Sequence, residues 1–198
     1  MMKQQRNGCL FGSLIALGVV LLMVLIGYFY IKGIYNRIVI QDEAVDANWA
    51  QVENVLQRRF DLIPNLVNTV KGFAKQEREV LTEVTALRSQ WAQAGSVSEK
   101  AQAATGLEAA LGKLMVISER YPDLKSNQNF LRLQDELAGT ENRVSVERRR
   151  YNESVQAYNT TIRTFPAVLI ANNMGFEKKE AYFEAVSEAA SAPVVDFE

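Results

Sequence analysis

Two charged residues occupy positions where the surrounding pattern calls for apolar ones. Between residues 127 and 164, apolar side chains recur at spacings of three and four: Phe130, Leu133, Leu137, Val144, Tyr151, Val155, Tyr158 and Ile162, then Phe165. The seven-residue repeat places Glu141 and Arg148 on the same stripe. A charge on a core stripe is costly unless paired. Two helical turns separate these two, so each needs a partner on another helix. The natural candidates are Arg58, Arg59 and Asp61, just before Pro64, with Glu77, which also falls on an apolar stripe. Two chemistries fit such a cluster. Glu141 could act as a catalytic base held by a cation, in a hydrolase-like site. Alternatively the six residues form a structural polar network that fixes helix register. The structural network is the expectation, because no nucleophile, ligand set or phosphate loop accompanies Glu141.

Composition narrows the chemistry further. The 198 residues contain no histidine and one cysteine, which removes His-based triads, His-bearing metal sites and thiolate zinc sites. No catalytic residue, cofactor or metal is expected. Lys and Arg total 22 against 23 Asp and Glu, a formal net charge of -1. The arginines are interleaved with acids, so no basic patch suggests a nucleic-acid partner.

A second constellation repeats at seven residues: Tyr151-Asn152 and Tyr158-Asn159. The tyrosines fit the stripe and the asparagines lie at its margin. They are the expected place for lateral contacts with another helix or another subunit; solvated surface is the alternative. Asn152-Glu153-Ser154 and Asn159-Thr160-Thr161 match the glycosylation pattern but fall on a predicted packed helix and are set aside.

These residues must be positioned by helices. Residues 9–31 are an uncharged apolar run, long enough for a membrane-spanning helix, with Tyr28, Phe29 and Tyr30 at its end like an aromatic belt. It exceeds a signal peptide's apolar region and no small-x-small cleavage site follows it, so an uncleaved anchor is expected. Two basic residues flank each side, Lys3 and Arg6 against Lys32 and Arg37, so the side of the soluble part stays open. Gly8, Gly12 and Ala16, spaced by four, suit close packing of two membrane helices; glycine is also simply common there.

Beyond Gly33 the pattern stays helical through Val45, Trp49, Val52, Leu56 and Phe60. Asp61 is the expected N-cap of a new helix with Pro64 in its first turn, a kinked continuous helix being the alternative. That helix runs through residues 66–91, and Gly72 within it is read as a close helix contact. A loop covers 92–100, Ser98 caps the next helix, and Pro122 stops it. Ser126 caps the long helix 127–164, and Pro166 ends it. Residues 178–190 are read as a final short helix. The expected fold is all-α: an N-terminal transmembrane helix (9–31, after a short segment 1–8) continuing into a stalk and an antiparallel four-helix bundle with long coiled-coil-like helices (32–190), then a loose tail (191–198).

Several separated blocks resemble the LemA family. They are Tyr35-Asn36-Arg37, the run from Trp49 to Glu53, the run 57–67 containing Arg58, Arg59, Asp61 and Pro64, the run 121–127, Glu141-Asn142-Arg143, Arg149 to Asn152, Tyr158-Asn159, Phe165-Pro166 and Gly175-Phe176. The resemblance covers residues 35–186. It implies a membrane helix, a helical bundle, and no established enzymatic activity or cofactor. It also implies a bacterial inner-membrane, single-pass setting and possible partners: a membrane protease of the HtpX type or a TPM-domain protein. The function expected on this basis is a non-enzymatic scaffold or adaptor that homo-oligomerises in the lipid bilayer and presents helix faces to partner membrane proteins. A coat-like oligomer that remodels membranes is the alternative.

Overall fold

The computed structural model describes residues 3–179 and residue 183, with side chains from residue 14 onward. The fold is all-α, and no strand occurs among the described residues. Among the described residues six helices follow in order: α1 Lys3–Phe73, α2 Arg78–Gln93, α3 Val97–Ser118, α4 Pro122–Lys125, α5 Gln128–Arg163 and α6 Ala167–Met174. The chain divides into two compact units. One holds Met1–Val45 and Gln156–Lys179; the other holds Asp46–Val155 and the segment that carries Phe183.

α1 is continuous through Pro64, so Asp61 caps nothing; its carboxylate accepts a hydrogen bond from the Gln57 amide at 2.9 Å. An interior proline costs about 3 kcal/mol or more. Here Phe60, Ile63, Leu66, Val67 and Val70, all buried, flank it. Each fully buried apolar side chain contributes roughly 1.5–3 kcal/mol, so burial outweighs the lost backbone bond. The chain turns later, at Ala74–Glu77, where Ala74 is buried and the Glu77 carboxylate accepts from the Tyr121 hydroxyl at 3.1 Å and pairs with Arg120 at 3.2 Å. Gly72 does not mark a close contact: a Cβ there would meet nothing within 4 Å. Gly106 does, because a Cβ would come within 2.7 Å of Leu87 Cδ2 on α2.

The caps also differ from expectation. Ser96, not Ser98, opens α3 with a reciprocal capping box: its hydroxyl accepts from the Glu99 N–H, and the Glu99 carboxylate accepts from the Ser96 N–H. Pro122 does not stop α3, which ends at Ser118; it starts α4, where its missing N–H is harmless. Asn127, not Ser126, caps α5 by accepting from the N–H groups of Asn129 and Phe130 at 3.0 and 3.1 Å.

In the second unit, contacts fix the pairing of helices. Trp49 lies against Tyr151 and Arg59 against Glu141, so α1 and α5 run antiparallel. Phe60 stacks on Trp91, and Lys113 pairs with Glu83, setting α2 against α1 and α3 against α2. The buried apolar set from α5 is Phe130, Leu137, Val144, Tyr151, Val155, Tyr158 and Ile162. Phe165, expected to continue this stripe, is 81% exposed because α5 ends at Arg163. From Leu14 to Ile31 every large apolar side chain of α1 is exposed. The short helix expected at 178–190 lies outside the described residues, apart from 178, 179 and 183.

Candidate functional site

The stranded charges meet in the second unit. Arg59, on α1, is 5% exposed and contacts Glu141 on α5. Its Nη1 is also 3.7 Å from Glu108 Oε1 on α3, and the same oxygen lies 2.6 Å from Arg148 Nη2 on α5. The result is an alternating chain, Glu141–Arg59–Glu108–Arg148, that ties three helices together and carries no net charge. The ions are close without being well aligned: Arg59 Nη1, Glu108 Oε1, Glu141 Oε2 and Arg148 Nη2 are buried and make no aligned hydrogen bond. Attraction between the ions holds the cluster.

The other expected members of this network are elsewhere. Arg58 is exposed, Asp61 is exposed and bonded within its own helix, and Glu77 belongs to the corner with Tyr121 and Arg120. Arg148 does not touch the 58–61 segment directly; Glu108 links it to Arg59. Glu108 escaped sequence reasoning because it stands beside Leu107 at the margin of the α3 stripe rather than on it. In the corner, burial, followed by the hydrogen bond to Glu77 and its charge, raises the Tyr121 phenol above its ordinary value, with Arg120 opposing.

The Tyr–Asn pairs make contacts within the chain. Asn152 donates its amide to the Phe183 carbonyl at 2.9 Å and accepts from the Phe183 N–H at 3.0 Å. The Phe183 ring stacks on Trp49 at 5.9 Å, meets Tyr151 edge-on at 5.9 Å, and lies under the Arg148 guanidinium at 4.7 Å. An amide that satisfies both backbone groups of one residue, beside an aromatic and cationic cradle, is a clamp for Phe183. In the first unit, Asn159 makes the same two-bond contact with Lys179, at 2.8 and 3.0 Å, and the Tyr158 hydroxyl donates to the Glu177 carbonyl at 3.1 Å. Both asparagines are thus spent on the chain's own backbone, which the sevenfold spacing alone did not reveal. Ala16 is exposed; the surroundings of Gly8 and Gly12 lie outside the described residues.

A groove of about 700 Å³ opens where α1 ends and α2 begins. Lys71, Lys75 and Arg78 line it together with Leu81, Thr82 and Thr85. The three cations pair with no carboxylate among the described residues. Leu81 is buried, and Thr82 and Thr85 donate to carbonyls of their own helix at 2.7 Å. Among the described residues no group of three or more His, Cys, Asp or Glu could hold a metal ion.

The LemA family's sequence model matches residues 48–197. The chain belongs to the LemA family. It is similar to Magnetosome protein MamQ 2 of Paramagnetospirillum magneticum, 26% identical over 187 residues that cover 81% of this chain and 68% of that protein. Magnetosome protein MamQ of Magnetospirillum gryphiswaldense matches to the same extent. Protein LemA of Metamycoplasma hominis is 24% identical over 181 residues, covering 89% of this chain and 78% of its own. The long apolar part of α1 and these relatives make this LemA-family chain a membrane-associated protein.

Proposed function

We propose that this LemA-family protein is a non-enzymatic, single-pass adaptor of the bacterial inner membrane, presenting the groove at the α1–α2 corner to an acidic segment of a partner membrane protein. The observation that carries this reading is the set Lys71, Lys75 and Arg78 around an apolar floor at Leu81. Long, flexible cation stems without a buried, converging donor set suit an acidic protein segment better than a small phosphate, which calls for fixed donors. The partner classes that fit are a membrane protease of the HtpX type and a TPM-domain protein. Self-assembly belongs to the same proposal, with Gly8, Gly12 and Ala16 as the contact between membrane helices.

Glu141 supports a structural role in this reading, since its carboxylate faces Arg59. Tyr151, Asn152, Tyr158 and Asn159 are engaged within the chain, so a coat-like assembly would use the exposed face of α5 for its lateral contacts. Affinity capture of the full-length protein from detergent extracts tests the adaptor. Wild type should retain a membrane protein that the triple variant Lys71→Glu, Lys75→Glu, Arg78→Glu loses; equal retention would count against the groove. A strictly monomeric mass in detergent would remove the self-assembly part. A phenotype lost in Glu141→Gln, with stability and partner capture intact, would restore the enzyme reading.

A further inference from the structure

Thirteen consecutive residues, Thr164 to Phe176, carry no charge, although they lie far from the apolar run of α1 in sequence. They contain α6. Ala167 and Ala171 turn inward and are buried. Leu169, on the opposite face, is 57% exposed, Met174 is 61% exposed and Phe165 is 81% exposed. Surface apolar residues occurring singly need no explanation, but an uncharged segment exposing three large ones calls for a partner.

Contacts within the first unit fix the height of this segment's C-terminal end along α1. Lys179 pairs with Asp42 at 3.0 Å, and its backbone is clamped by Asn159. Three residues earlier, the Phe176 ring meets Tyr35 at 5.8 Å. Going backward from Lys179, the chain therefore descends α1 from Asp42 to Tyr35, toward the exposed apolar run that ends at Ile31. α6 joins Phe176 through Gly175, whose φ of 76° is the left-handed turn that ends the helix. Tyr35 is four residues from Ile31, about 6 Å along the helix axis. Each headgroup layer of a bilayer is roughly 5–8 Å thick, the difference between the hydrocarbon core and the full membrane. That is the depth at which aromatic belts and interfacial helices lie. Lys32 and Arg37, both exposed, flank the same level and suit anionic headgroups.

We propose that α6 and Phe165 form a second membrane contact, lying in the headgroup layer of the bilayer that α1 crosses, with Phe165 and Leu169 in the acyl boundary. The occupant of this surface is lipid, by continuity with the exposed apolar face of α1. The contact would hold the C-terminal end of α5 against the membrane and fix the angle at which α1 leaves it. The proposal rests on α1 spanning the bilayer, and the experiment separates the two.

Full-length protein carrying Cys9→Ser and a single probe cysteine is labelled with an environment-sensitive fluorophore. It is reconstituted into nanodiscs of phosphatidylcholine and phosphatidylglycerol with spin-labelled lipid as quencher. The probe sites are Leu22→Cys in the apolar run, Leu169→Cys on α6 and Ile40→Cys as the outside control, all exposed positions where a label leaves packing intact. Ile40 lies nine residues beyond Ile31, about 13 Å along the axis and outside the headgroup layer. Strong quenching is expected at 22. At 169, quenching should exceed that at 40 by roughly twofold or more, the contrast between a site in the interface and one in water. Quenching at 22 with 169 no different from 40 overturns the α6 contact and leaves the spanning helix standing. No quenching at 22 overturns the spanning reading and this proposal with it. Loss of the signal at 169 in a Phe165→Glu background, with helicity unchanged, supports the proposal; an unchanged signal there counts against insertion.

Discussion

Removing Glu108 is the sharpest test of the charge chain, because its carboxylate stands between two guanidiniums. Arg59 and Arg148 have side chains only 6% and 17% exposed, and Glu108 is 19% exposed. Glu108→Gln leaves two mostly buried cations facing each other across a neutral amide, with only Arg59 retaining a carboxylate partner, Glu141. Breaking a buried pair so that a charge is stranded costs about 3–5 kcal/mol. Glu141 is 42% exposed, so in Glu141→Gln water screens much of the loss and Arg59 keeps Glu108; the cost is about 1 kcal/mol. Arg59→Met falls between, since Glu108 keeps Arg148 and Glu141 can hydrate. The expected order of destabilisation is Glu108→Gln, then Arg59→Met, then Glu141→Gln. For a chain of this size, Glu108→Gln should lower the melting temperature by roughly 6–20 °C. Circular dichroism of the detergent-solubilised full-length variants at 222 nm, by heat and by urea, reads this directly. A Glu141→Gln loss equal to that of Glu108→Gln, or a Glu108→Gln protein as stable as wild type, would refute the alternating chain.

Three further outcomes follow from single residues. Asn152→Ala removes two hydrogen bonds to Phe183, about 2 kcal/mol of local stability, so amide exchange at Phe183 should accelerate roughly 30-fold; an unchanged rate would show that the ring contacts alone hold the segment. Tyr121 keeps its proton more tightly in the folded than in the unfolded chain. Its contribution to stability is therefore present below pH 10.0, the ordinary phenol value, and is lost as pH rises through the raised one. Wild type should lose stability more steeply than Tyr121→Phe in alkaline denaturation, and parallel curves would contradict the raised phenol value. Gly72→Ala should stabilise by up to about 1 kcal/mol, seen as a rise in melting temperature, because nothing lies within 4 Å of the added methyl; destabilisation would mean a neighbour closer than the structure places it.

What the sequence disclosed, and what it hid, follow physical lines. Helical periodicity made the all-α class and the long α5 readable, and the two charges on an apolar stripe pointed to a partner such as Arg59. Glu108 was hidden because it sits one residue off its stripe, where a carboxylate looks solvated. Pro64 suggested a break because its cost is local, whereas the burial of Phe60, Ile63 and Leu66 that outweighs it is tertiary. The opposite error arose at Ala74–Glu77, a turn with neither glycine nor proline, stabilised by Tyr121 forty-four residues away. The Ser96-x-x-Glu99 box was legible and Ser98 was the wrong choice beside it. Asn152 and Asn159 had the correct spacing and face, but their partners are backbone groups 31 and 20 residues downstream, which side-chain patterning does not encode.

The α1–α2 groove is the place where we propose that another protein docks. Photo-crosslinking in living bacteria, with a photoreactive residue replacing exposed Thr82 inside that groove, tests it most directly. A crosslinked adduct with a membrane protein rich in acidic residues, lost in the Lys71→Glu, Lys75→Glu, Arg78→Glu background, is the predicted result. An adduct that survives that charge reversal, or no protein adduct at Thr82 while the protein is folded and in the membrane, would contradict it.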